Sequence, residues 1–134
     1  MVLIDGEEER VRLIGVDTPE TVHPRKPVEH FGKEASEFTK SVSEGQTVTL
    51  VEDPECSNRD RYGRLLRYVY LPSGRLLNSE IIARGYGFAY TRFPFSRMEE
   101  FRALEREARF QGRGLWQPEA SETPESSRTA PPDD

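Results

Sequence analysis

The sequence predicts an α+β fold built on a small antiparallel β-barrel, on three observations. β-prone runs recur at residues 2–4, 10–16, 46–52 and 65–71; one helical stretch lies between the second and third runs; the other helical stretches follow the fourth. At 134 residues there is room for one domain with a modest core.

The elements follow in order. Asp5-Gly6 between the first two runs is a hairpin signal, with the return strand expected from Arg10. Residues 22–29 read as an irregular basic loop. Phe31, Ala35, Phe38 and Val42 recur at helical spacing, and Gly45 follows as a stop. Val48 and Leu50 alternate with Thr47 and Thr49, as a half-exposed strand does. Pro72-Ser73-Gly74 turns the 65–71 strand back through Arg75, Leu76 and Leu77. Asn78 is positioned to cap a short helix holding Ile81 and Ile82, which Gly85 ends. Residues 87–90 are a brief extended piece. Ser96 and Glu99 have capping-box spacing for a last helix that turns Met98, Phe101, Leu104 and Ala108 inward. Residues 112–116 stop it, and Trp116 is expected to pack back on the body.

Residues 118–134 are rich in Pro, Glu, Ser and Thr and hold no aromatic residue, a composition that predicts a disordered tail after a domain at 1–117. The tail has five acids against one base. Of the net charge of −5 it carries −4, leaving the body near neutral. A polyanion would therefore be held by a local group of arginines and not by the overall field. Cys56 is the only cysteine, which rules out an internal disulfide or a cysteine metal cluster. No apolar run approaches the length of a membrane-spanning helix, and the N-terminus has no signal-peptide pattern. The chain starts inside a strand-like run with no polar lead-in, so sequence missing upstream of Met1 is expected.

Two charged stretches carry the chemistry. The first, residues 11–20, is a strand running into a tight turn at Thr18-Pro19, which presents Arg12, Asp17 and Glu20 within nine residues. A cation site beside a phosphate site needs that combination. Asp17-Thr18-Pro19-Glu20 is equally a good helix start. The second stretch places Arg59, Arg61, Arg64 and Arg67 within nine residues, interleaved with Tyr62 and Tyr68. It can grip phosphate and stack a base, or be a solvated basic loop. His23 and His30 lack zinc spacing and read as loop or surface residues.

Together the two stretches resemble the thermonuclease family, the staphylococcal-nuclease-like domains. Arg12 and Asp17-Thr18-Pro19-Glu20-Thr21, then His23-Pro24, Phe31-Gly32 with Glu34-Ala35, Asp60-Arg61-Tyr62-Gly63-Arg64 and Gly112-Arg113-Gly114-Leu115-Trp116 stand in family order, over residues 2–117. The resemblance implies a five-stranded OB-fold barrel with about three helices. It also implies a calcium-dependent nuclease, monomeric, that hydrolyses DNA and RNA and favours single strands. By position, Arg12, Glu20 and Arg64 match the catalytic residues; Asp17 and the Thr18 carbonyl match metal ligands; Arg61, Tyr62 and Tyr90 match nucleotide contacts. Arg92 stands where the family has a further tyrosine. The alternative is an OB-fold module that binds single strands without cleaving them; a carboxylate beside a phosphate, Glu20, is a residue that a binder does not need.

One departure stands out. The family's Asp-Gly-Asp-Thr run, on the first strand, has no counterpart here, and only four residues separate Asp5-Gly6-Glu7 from Arg12. The first barrel strand and one metal carboxylate are thus expected to be missing or truncated, with an unpaired sheet edge and weaker calcium binding as consequences. The family is often secreted, and a lost lead-in would take a signal peptide with it.

Overall fold

The computed structural model describes residues 1–18 and 32–117. The elements are β1 (Val2–Ile4), β2 (Glu7–Glu9), β3 (Val11–Leu13), β4 (Val16–Asp17), α1 (Gly32–Ser43), β5 (Thr49–Val51), β6 (Leu65–Tyr70), α2 (Leu77–Ala83), β7 (Phe88–Ala89), α3 (Met98–Gln111) and a 3₁₀ turn at Gly114–Trp116. The α+β class holds, with three α-helices among the described residues. The basic loop expected at 22–29 and the tail at 118–134 lie outside the described residues.

The N-terminal hairpin forms with a tighter turn than expected. Asp5 and Gly6 both adopt positive φ, 52° and 84°, so two residues complete the reversal. Ile4 pairs with Glu7, and the return strand starts there and not at Arg10. From Glu7 to Asp17 the chain then changes partner twice. β2 pairs antiparallel with β1, β3 pairs parallel with β6, and β4 pairs antiparallel with β7. Antiparallel pairing, expected throughout, therefore holds for three of the four ladders, β5–β6 being the third. The exception has a topological cause: the chain crosses over through α1 and β5 before reaching β6, and a crossover delivers a parallel neighbour.

The bends split the expected five strands into seven short ones in three separate sheets among the described residues, without a closed barrel. One bend depends on Gly15. Its φ is 75°, and a Cβ there would fall 2.5 Å from Phe95 Cζ and 2.8 Å from Phe101 Cδ2. No larger residue could turn against those two core rings.

The core lies between the strands and the helices. Val16, Ile81, Ile82 and Phe101 are almost fully buried, and Ala35 brings α1 onto them with Phe38 and Val42 at its edge. Burying a Phe or Ile side chain contributes roughly 1.5–3 kcal/mol each. On α3, Phe101 and Ala108 are buried and Met98 and Leu104 pack at the core margin, the inward face that periodicity predicts. Trp116 packs back as expected, edge-on to Phe88 with ring centroids 5.4 Å apart, and the Arg109 guanidinium lies 4.2 Å from its ring centre.

Both expected side-chain caps are overturned. Asn78 lies inside α2, fully buried. Its Oδ1 accepts the Val69 N–H at 3.0 Å, and its Nδ2 donates to the carbonyls of Ile14 at 2.9 Å and Arg67 at 3.3 Å. It stitches the β3–β4 turn to β6. Ser96 does not cap α3 either, because its hydroxyl donates to Asp53 Oδ1 at 2.7 Å.

Asp53 is the centre of that second polar cluster. Its carboxylate also accepts the Tyr68 hydroxyl at 2.6 Å and the N–H groups of Glu55 and Ser96 at 2.9 and 2.7 Å. Burial works against its charge, but these hydrogen bonds outweigh it and bring the pKa down to about 2. Tyr68, expected with Tyr62 to stack a base, is instead buried in the core, and its hydroxyl is pushed up by burial and by the same carboxylate. A carboxylate depressed on folding adds stability that is complete above its unfolded pKa and is lost as pH falls through its folded one. Between about pH 4 and pH 2 the protein should lose roughly 2 kcal/mol of stability through Asp53 alone. Urea unfolding at pH 6 and pH 2.5 should show that loss in the native chain and not in Asp53→Asn. Equal losses in both would assign the acid sensitivity to other groups.

Candidate active site

The parallel ladder assembles the site. Arg12 is the middle residue of β3 and pairs with Leu66, while Val11 stands opposite Leu65. Arg64 immediately precedes Leu65. Parallel strands put both N-terminal ends on the same side, so two arginines far apart in sequence come together. They are close enough to act on each other: burial lowers the Arg12 pKa, Arg64 lowers it further, and Asp17, Tyr90 and Asp60 oppose the shift.

Arg12 is fixed by the turn that follows it. Its Nη1 donates to the carbonyls of Leu13, at 3.0 Å, and Val16. Its guanidinium carbon also lies 5.4 Å from the centre of the Tyr90 ring, and the Tyr90 N–H donates to the Gly15 carbonyl at 2.8 Å. Nε and Nη2 have no hydrogen-bond partner among the described residues.

Arg64 is held by Asp60. Asp60 Oδ1 accepts the N–H groups of Tyr62 and Arg64, both at 2.9 Å, and Oδ2 accepts Arg64 Nε at 2.7 Å. Burial alone would raise the Asp60 carboxyl, and these bonds with the Arg64 charge hold it below its ordinary value. The Arg64 Nη groups have no hydrogen-bond partner among the described residues.

Both guanidiniums line a cleft of about 680 Å³, whose walls also include Asp60, Arg61, Tyr62, Tyr90 and Arg92. Tyr62 stands 58% exposed, with the guanidinium carbons of Arg61 and Arg64 5.0 and 5.5 Å from its ring centre. Five of the residues singled out in the sequence thus share one cavity: Arg12, Arg61, Tyr62, Arg64 and Tyr90.

The metal-side candidates fall elsewhere. Asp17 is exposed at the end of β4, on no wall of this cleft, yet near enough to Arg12 to act on its charge. Thr18 lines a smaller hollow of about 420 Å³ between β3 and α1, which Arg12 also borders. Glu20 lies outside the described residues. A carboxylate and a carbonyl are the hard oxygen donors that calcium takes, so these two fit it in kind. Among the described residues no three His, Cys, Asp or Glu side chains converge, so two donors here would leave most of a shell of six to eight oxygens to be filled from elsewhere.

Phe93 is the wall residue that sequence reading missed. It is 64% exposed on the cleft rim, 6.4 Å between ring centroids from Tyr90, with the Arg92 guanidinium 5.7 Å from its own ring centre. The signal was an aromatic residue next to an arginine, masked by Phe95 two positions on, which is core.

Comparison with known proteins bears on this site. Over 113 residues the chain is 38% identical to the thermonuclease of Staphylococcus hyicus, covering 84% of this chain and 65% of that protein. It is 58% identical over 67 residues to the thermonuclease of Staphylococcus intermedius, covering 50% of this chain and 39% of that one. It is 33% identical over 117 residues to endonuclease YncB of Bacillus subtilis strain 168, covering 86% of this chain and 54% of the relative. The chain thus spans less than two thirds of the length of each. The OB-fold expected from the resemblance is consistent with the mixed architecture and the partner-switching strands. With the family model for staphylococcal nuclease homologues matching residues 10–118, which takes in both arginines and every wall of the cleft, the chain belongs to that family.

Proposed function

We propose that the protein is a calcium-dependent nuclease that hydrolyses phosphodiester bonds of DNA and RNA, with a preference for single strands. The observation that carries this is the convergence of Arg12 and Arg64 in one cleft, each anchored on one side and with further donors unpartnered among the described residues. A site that only binds a backbone has no need to bring two anchored guanidiniums into one cleft. A site that stabilises charge building on a phosphorus centre does.

In this reading Arg12 and Arg64 hydrogen-bond the phosphate oxygens as negative charge accumulates. Arg61 and Tyr62 hold an adjacent phosphate, and Tyr90 and Tyr62 offer ring faces to unpaired bases, which a base-paired duplex keeps out of reach. Glu20 is assigned the attacking water, which it orients or deprotonates. Asp17 and the Thr18 carbonyl would hold the calcium ion, with substrate phosphate and water completing its shell. When bound, the ion supplies Lewis-acid withdrawal of charge from a non-bridging phosphate oxygen.

Release of acid-soluble nucleotides from denatured DNA tests the reading. Cleavage should require calcium, cease with chelator, and fall about 10²–10⁴-fold in Glu20→Gln, the range for loss of a general base. Binding of the same DNA without cleavage would instead make the cleft a binding module.

A further inference from the structure

The loop bearing Arg61, Tyr62 and Arg64 is gripped from outside the cleft by residues to which the reading above gives no role. Arg59 meets the Glu9 carboxylate at two points, Nη1 to Oε1 at 3.0 Å and Nη2 to Oε2 at 3.2 Å. The same Nη1 donates to the Gly63 carbonyl at 2.7 Å. Arg10, beside Glu9, donates Nη2 to the Tyr62 carbonyl at 2.6 Å, and its own carbonyl accepts the Leu65 N–H at 2.9 Å.

The peptide unit joining Gly63 to Arg64 is thereby clamped at both ends. Arg59 holds its carbonyl, and Asp60 Oδ1 holds its N–H at 2.9 Å. The peptide before it is held through the Tyr62 carbonyl by Arg10. The orientation of the Arg64 side chain follows from these two planes. Arg59 and Glu9 are both partly exposed, and an exposed ion pair adds little to global stability. What a two-point planar pair does supply is direction. The Glu9 carboxyl is held below its ordinary value chiefly by the Arg59 hydrogen bond, in keeping with a formed pair.

We propose that Glu9 and Arg59, with Arg10, form a strut that sets the Gly63–Arg64 peptide and so aims the Arg64 guanidinium into the cleft. They are positioning residues, and the inference rests on the nuclease reading for its consequence in rate. Glu9 makes the test sharp. A carboxylate near a bound polyanion repels it, so a Glu9 with no further role would, when removed, leave turnover unchanged and tighten binding. The strut requires the opposite sign in turnover.

The experiment uses the full chain on denatured DNA with calcium. Glu9→Ala and Arg59→Ala should each lower kcat about 10-fold with little change in KM, since misplacing a reacting group by a fraction of an ångström is felt in the rate. The double variant should be no slower than Arg59→Ala, because both act through one carbonyl. Arg59→Lys should recover only part of the rate, as an ammonium cannot span Glu9 and Gly63 together. Independently of cleavage, amide hydrogen exchange at Gly63 and Arg64 should quicken about 10-fold in Glu9→Ala, with Val69 in the core unchanged.

An unchanged or raised kcat in Glu9→Ala would overturn the strut. So would exchange that quickens equally at Val69, the mark of a merely destabilised fold. If the native chain does not cleave at all, the nuclease reading fails by itself, and the exchange at Gly63 and Arg64 still decides whether the strut exists.

Discussion

Replacing Arg64 with lysine should lower cleavage of denatured DNA by about 10²–10³-fold, the usual effect of removing one preorganised donor from a site of developing charge. The reason lies in how Arg64 divides its donors. Nε is committed to Asp60 at 2.7 Å, and the two Nη groups of this cleft-lining residue have no hydrogen-bond partner among the described residues. Lysine has one nitrogen for both tasks. It can pair with Asp60 and leave the phosphate alone, or reach the phosphate and leave Asp60 without its side-chain partner. The loop itself should persist, because Asp60 Oδ1 binds backbone N–H groups that the substitution does not touch. Thermal melting should therefore move by no more than a few degrees while the rate collapses. A lysine variant within about fivefold of the native rate would show that charge alone suffices there and that the planar fork is not used.

Asn78→Leu should destabilise the fold by about 3–5 kcal/mol, although leucine is close in size and more apolar. Asn78 is fully buried and serves three backbone groups. Leucine would orphan the Val69 N–H and the Ile14 carbonyl inside the core, each at a cost of about 1–3 kcal/mol. The Arg67 carbonyl would be spared, since it also accepts the Ile14 N–H at 3.1 Å. Urea unfolding at neutral pH measures the loss directly. A change below about 1 kcal/mol would mean that the β3–β4 turn relaxes enough to find those groups other partners.

What was legible in the sequence divides along physical lines. Local signals worked where local physics decides. The Asp5-Gly6 turn, the apolar spacing of α1 and α3, and Gly112 after α3 with φ 67° are all set by a few neighbouring residues. Asn78 and Ser96 misled for the same reason. Each has the right side chain at the right offset to cap a helix, but each is claimed by a partner across the fold, Ile14 and Asp53 respectively. The parallel register of β3 and β6 was illegible, because nothing within either strand names its partner. Arg12 and Arg64 could be placed in one site only through ordered motifs. Phe93 escaped because aromatic residues near a Pro read as core, and exposure is a property of the folded surface.

The parallel pairing also bears on how the cleft comes into being. A hairpin can zip as soon as its turn forms, but Val11 can meet Leu65 only after the long segment between them, α1 and β5 included, has been drawn into a closed loop. The two guanidiniums should therefore become neighbours late in folding, when most native contacts already exist. No partly folded chain that lacks β6 would bring them together, so cleft assembly and completion of the domain are a single event.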